Sequence, residues 1–107
     1  MRNYESMIVL IPDLSPEEAK AKVEEIGGLI TSRGGELVRS EEWGLRDLAY
    51  PIQKKQKGYY FLLYFRAKGD FIKEYERNLE LREDVLRYLT LRLEGEIPPE
   101  SKKGRRR

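Results

Sequence analysis

Positions 59 to 65 read YYFLLYF, a run that is apolar or aromatic on both sides of an extended chain. Side chains along a strand alternate between faces, so Tyr59, Phe61, Leu63 and Phe65 oppose Tyr60, Leu62 and Tyr64. Such a strand belongs in the interior of a sheet, with partners on both edges and cover on at least one face. Positions 4 to 11 (YESMIVLI) have the same character, with Met7, Val9 and Ile11 opposing Ile8 and Leu10, and Pro12 closes the segment. Two further extended segments carry charge and suit the edges of the same sheet. One is Glu36 to Ile52, with Gly44 as its expected bulge; the other spans positions 85 to 93 (VLRYLTLRL), with Arg87 and Arg92.

Helices separate these strands. Ser15, Pro16 and Glu18 form a Ser-Pro-x-Glu start, in which serine caps, proline takes the first helical position and glutamate completes a capping box. Leu14 and Ala19 are spaced for a hydrophobic staple across that start. Ala19, Val23, Ile26 and Ile30 follow as one stripe, Gly27-Gly28 weakens the helix locally, and Gly34-Gly35 ends it. Asp70 is the expected cap of a second helix, in which Ile72, Tyr75 and Leu79 share a face. Positions 53 to 58 (QKKQKG) read as a turn. The order is βαββαβ, and right-handed crossovers around a central hairpin lead to the α+β, ferredoxin-like split βαβ fold. Its four-stranded antiparallel sheet has the strand order fourth, first, third, second, with two helices on one face. The other face is bare.

Composition limits the chemistry. The chain has 107 residues, with no cysteine and no histidine, so disulfides, thiolate nucleophiles and histidine relays are absent. No phosphate loop, dinucleotide-binding glycine motif or nucleophile elbow occurs. The adjacent carboxylates Glu17-Glu18 and Glu24-Glu25 fall on a solvated helix face, and Glu41-Glu42 point to opposite sides of a strand. The segment after the first strand, Pro12-Asp13-Leu14-Ser15, sets a carboxylate where a phosphatase on this fold would hold phosphate. The reading is a non-enzyme without cofactor, metal or small-molecule substrate. No apolar run is long enough to cross a membrane, and the opening Met-Arg-Asn-Tyr-Glu shows no secretory signal, so a cytoplasmic setting is expected.

Charge divides the chain into a domain over residues 1–94 and a basic tail over residues 95–107, expected to be disordered. The net charge is +2, yet the tail sets Lys102, Lys103, Arg105, Arg106 and Arg107 against Glu96 and Glu100, which leaves the domain at −1. Such a tail serves either to attract polyanions or to solubilise. The bare face is apolar whichever parity faces the helices. It therefore calls for a docking partner, for cover by the chain's own tail, or for a second copy. Positions 57 to 64 (KGYYFLLY) resemble the RNP1 octamer of RNA-recognition motifs, except that Tyr60 replaces the usual glycine or alanine and the first strand has no aromatic counterpart. A free-standing RNA-recognition module and a protein-interaction domain are the alternative functions.

A more extensive resemblance covers residues 2 to 93. Tyr4-Glu5, the run from Trp43 to Ile52 (WGLRDLAYPI), Lys54, Gly58-Tyr59 and the run from Leu81 to Tyr88 (LREDVLRY) resemble the signatures of the bacterial small-subunit ribosomal protein S6 family. The resemblance implies a structural protein of the small ribosomal subunit. It would bind the central domain of the small-subunit ribosomal RNA as a heterodimer with ribosomal protein eighteen. Carried over position by position, Arg2, Tyr4, Lys54, Arg87 and Arg92 are the expected RNA contacts, joined by Lys102, Lys103, Arg105, Arg106 and Arg107 of the tail. Cations there meet phosphates and set position without reading bases. Glu41, Glu42 and Arg46 are expected to face the partner protein, whereas Tyr4 as a sheet-edge cap and an Arg46 ion pair with either glutamate are the structural alternatives. The family register also expects Phe61, Leu63 and Phe65 to face the helices, while an RNA-recognition motif would expose Tyr59 and Phe61.

Overall fold

The computed structural model describes residues 1–99. Its elements run β1 (Arg2–Leu10), α1 (Pro16–Ser32), β2 (Glu36–Ile52), β3 (Lys55–Ala67), α2 (Phe71–Leu81) and β4 (Val85–Arg92). The four strands form one antiparallel sheet in the order β2-β3-β1-β4, so the two doubly apolar strands are central and the two charged ones are edges. Burial separates the faces by parity. Tyr4, Ile8 and Leu10 of β1 and Tyr59, Phe61, Leu63, Phe65 and Ala67 of β3 enter the core cluster beneath the helices. Ala19, Val23, Ile26 and Ile30 of α1 and Phe71, Tyr75 and Leu79 of α2 close it from above, with Ile72 at its margin. Within this apolar layer Tyr75 donates a hydrogen bond of 2.8 Å to Ser6 Oγ, which lies 3.2 Å from Thr90 Oγ1. Each of these buried hydroxyls therefore has a partner.

The start of α1 follows its sequence signature. Glu18 N–H donates to Ser15 Oγ at 3.1 Å, and Ser15 N–H donates to Glu18 Oε1 at 2.8 Å, a closed capping box. Two local expectations are corrected. Asp70 stands at the cap position of α2, but its backbone is already helical and its side chain makes no capping bond. Turn bonds from Phe71 N–H to the Lys68 carbonyl and from Ile72 N–H to the Gly69 carbonyl close that end. The six-residue turn over positions 53–58 shrinks to Gln53 and Lys54, both at positive φ, because β3 begins at Lys55. A two-residue turn of this kind usually carries asparagine or glycine, and Lys55, Gln56 and Lys57, which open β3, are polar without alternation. Neither alternation nor turn chemistry marks them in the sequence.

Candidate docking face of the sheet

Opposite the helices, paired residues make a row across the whole sheet, with Glu41 against Leu62, Leu62 against Met7 and Met7 against Leu89. A second row sets Arg39 against Tyr64, Tyr64 against Glu5 and Glu5 against Leu91. Both ends of this face are closed by the chain itself. At one end Val9 is fully buried where Gly58 passes, and a Cβ on Gly58 would stand 2.5 Å from Val9 Cγ1 and 3.0 Å from the Leu10 carbonyl oxygen. Only glycine fits there. At the other end the segment after β4 folds back. Leu93 N–H donates to the Asn3 carbonyl, Asn3 Nδ2 donates to the Gly95 carbonyl at 2.8 Å, and Arg39 donates to the Pro98 carbonyl at 2.8 Å.

Between these closures lies a hollow of about 460 Å³, lined by Met7, Trp43, Arg46, Leu62, Leu89 and Leu91 among others. Leu89 and Leu91 are each 47 % exposed. The bulge in β2 builds one wall. Pairing slips between Glu42 and Gly44, with Gly44 at φ +84°, a conformation that favours glycine. A one-residue slip moves side chains to the other face. Before the bulge Arg39 and Glu41 pair with residues of the bare face; after it Gly44 pairs with Tyr60 and Arg46 with Gly58, on that same face. Trp43 and Arg46, of opposite parity, thereby meet on one surface, with the guanidinium 5.3 Å from the ring centroid and its Nε donating to the Trp43 carbonyl at 3.0 Å.

Glu41 is 2 % exposed and fixes this wall from below. Its Oε1 accepts from Trp43 Nε1 at 3.0 Å and its Oε2 from Arg39 Nε at 3.0 Å. The same Arg39 lies 4.5 Å above the Tyr64 ring. The Tyr64 hydroxyl is held above its usual range by burial, then by the charges of Glu5 and Glu41, with Arg39 opposing.

The expected site residues fall on different surfaces. Arg2, Lys54, Arg87 and Arg92 are all exposed, but Arg2 and Arg92 lie near one end of the sheet, Arg87 pairs with Val9 on β4, and Lys54 sits in the β2–β3 turn. The expected contact through Tyr4 is corrected. Its ring is 4 % exposed and stacks on Phe65 at 5.5 Å between centroids, so it has no face left for a base. Glu41 and Glu42 pair with Leu62 and Phe61 and so face opposite sides; Glu42 does not share the hollow's surface. The Arg46 ion pair with either glutamate is replaced by the Arg46–Trp43 contact, because Arg39 takes Glu41. Tyr59 and Phe61 are buried beneath the helices, which removes the stacking mode of an RNA-recognition motif. Arg39 and Trp43 were not singled out by sequence pattern for this face: a first slip, between Leu37 and Arg39, turns Arg39 and Glu41 away from the helices, and a second, at Gly44, brings Arg46 to the side of Trp43. Lys102, Lys103, Arg105, Arg106 and Arg107 lie outside the described residues, and no helix among those residues is long and apolar enough to cross a membrane.

Comparison with known proteins is consistent throughout. The profile of the family described as Ribosomal protein S6 matches residues 3–92. Small ribosomal subunit protein bS6 of Caldanaerobacter subterraneus is 51 % identical over 92 residues, covering 86 % of this chain and 97 % of that protein. Its counterpart from Nitratiruptor is 48 % identical over 94 residues, covering 88 % and 73 %. The crystal structure of 30S ribosomal protein S6 from Thermotoga maritima superimposes with a TM-score of 0.81 at 33 % identity, covering 86 % of this chain and 87 % of that one.

Proposed function

The chain belongs to the ribosomal protein S6 family, a non-enzymatic structural component of the small ribosomal subunit, and from that premise we propose how it is held there. The bare sheet face receives ribosomal protein eighteen, and the pair binds the central domain of the small-subunit ribosomal RNA. The observation that carries this reading is the 460 Å³ hollow with Leu89 and Leu91 half exposed on a face closed only at its two ends. An apolar surface left open in this way gains from burial against a partner, on the order of 25 cal/mol per Å². Arg46 and Trp43 form the rim toward that partner, and Glu41 holds the rim in place rather than meeting the partner itself.

Arg2, Lys54, Arg87 and Arg92 serve as phosphate contacts, together with the cations of the tail. Each neutralised phosphate releases counterions and steepens the salt dependence. With residues 1–94 at a net −1 and the whole chain at only +2, the chain alone has little electrostatic hold on RNA, and a basic partner supplies the rest. Electrophoretic mobility of a central-domain transcript tests this directly. The expected outcome is weak binding by the chain alone and a large gain with ribosomal protein eighteen, lost in the double variant Leu89→Glu, Leu91→Glu. Tight binding without the partner, or a full gain by the double variant, contradicts the reading.

A further inference from the structure

The run LAYPI (positions 48–52) is part of the resemblance to the family, yet it contributes little to the hollow or to the core. β3 pairs with β1 only from Tyr59 onward, so Lys55, Gln56 and Lys57 have β2 as their sole strand neighbour and the hairpin projects past the central sheet. Within this tip the pairing jumps from Asp47–Lys57 to Ile52–Lys55, which sets Leu48, Ala49, Tyr50 and Pro51 against Gln56 alone. Tyr50 is 59 % exposed, and among the described residues no hydrogen bond or ring contact engages it. Pro51 restricts the backbone of the residue before it to extended conformations, so the bulge presents the ring with part of its ordering cost already met.

Charge decides what such a ring is for. The tip carries Lys54, Lys55 and Lys57 against the single carboxylate Asp47. Lys57 pairs with Asp47 at 2.9 Å, and Lys55 reaches back to Asp13 before α1 at 2.9 Å, which ties the tip to the body. Lys54 is exposed and has no ion pair among the described residues. The hollow beside the ring is lined by Leu48, Ala49 and Pro51 of its own strand together with Asp47 and Gln56, and three lysines against one carboxylate make the tip net cationic, a setting that favours a polyanion with stackable bases.

We propose that Tyr50 is a base-stacking residue, set on the projecting β2–β3 tip that also carries Lys54, that takes one unpaired nucleotide of RNA. The ring supplies the stacking face and Lys54 neutralises a phosphate of the same strand. This adds a base contact to a set of RNA contacts otherwise made of cations, and it rests on the RNA-binding reading above for its choice of probe.

The test uses the full chain with ribosomal protein eighteen on a central-domain transcript, with affinity measured across a potassium chloride series. Tyr50→Ala is expected to weaken binding about tenfold at every salt concentration with the slope unchanged, the size of one lost stacking contact. Tyr50→Phe keeps the ring and is expected to stay within about twofold of the parent chain. Lys54→Ala is expected to lower the salt slope by about one. Thermal melts of all three are expected to match the parent, since both side chains are exposed. Parental affinity in Tyr50→Ala overturns the proposal and leaves the partner reading standing. A Tyr50→Ala defect that appears equally in binding of protein eighteen without RNA also overturns it, by assigning the ring to protein contact. A parent pair that leaves the transcript unbound overturns both.

Discussion

The two faces of the sheet draw on the same four strands and are both rich in apolar side chains, yet they are finished differently. On the helix side Ile8, Leu63 and Phe65 are fully buried, and two helices seal the layer. On the other side the chain closes only the ends, with Val9 on Gly58 at one and the residue 93–98 segment bonded to Asn3 and Arg39 at the other. The middle is left to Met7, Leu62, Leu89 and Leu91, walled by Trp43 and Arg46. The covered face supplies stability, and the bare face keeps its apolar surface available. Hydrophobicity alone does not separate these roles. What separates them is whether a second layer of the same chain reaches the surface.

Leucine truncations on the two faces are expected to differ most. Leu63→Ala is expected to cost about 2–5 kcal/mol in urea unfolding, because it removes fully buried methyls and leaves a cavity. Leu89→Ala removes the same atoms from the bare face and is expected to cost no more than about 0.5 kcal/mol. Comparable losses at both positions would mean that the bare face is packed in solution. A smaller effect probes the wall of the hollow. Glu41→Ala leaves Trp43 Nε1 without its acceptor and Arg39 without its carboxylate, and is expected to cost about 1–3 kcal/mol. A Glu41→Ala chain that unfolds like the parent would show that the wall is not held from below.

The sequence made the architecture legible where periodicity and local chemistry agreed. The doubly apolar runs of β1 and β3 forced them to the centre, the charges of β2 and β4 sent them to the edges, and Ser15 with Glu18 marked the start of α1. The β2–β3 hairpin was less legible because Gln53 and Lys54 lack turn-type chemistry and the Lys55-Gln56-Lys57 start of β3 is polar without alternation. Asp70 misled because a residue suited to capping stands where the backbone is already helical. At the site, the bare face followed from topology, but its wall did not. Alternation groups Arg39, Glu41 and Trp43 and sets Glu42 and Arg46 opposite; the one-residue slip at Gly44 returns Arg46 to the side of Trp43, so strand alternation read straight through the bulge assigns Arg46 wrongly. Tyr4 needs no slip: it pairs with Phe65 in regular register, and its parity turns the ring into the core, stacked on Phe65.

Trp43 is the only tryptophan in the chain and lines the hollow, so it reports on the bare face without further labels on the protein. Fluorine NMR of the chain carrying a fluorinated tryptophan, titrated with unlabelled ribosomal protein eighteen, measures occupancy of that face alone. A saturable shift of the single resonance, absent in the Leu89→Glu, Leu91→Glu variant, is the outcome this account requires. A resonance that stays unmoved while the two proteins bind would contradict it, because the partner would then dock elsewhere.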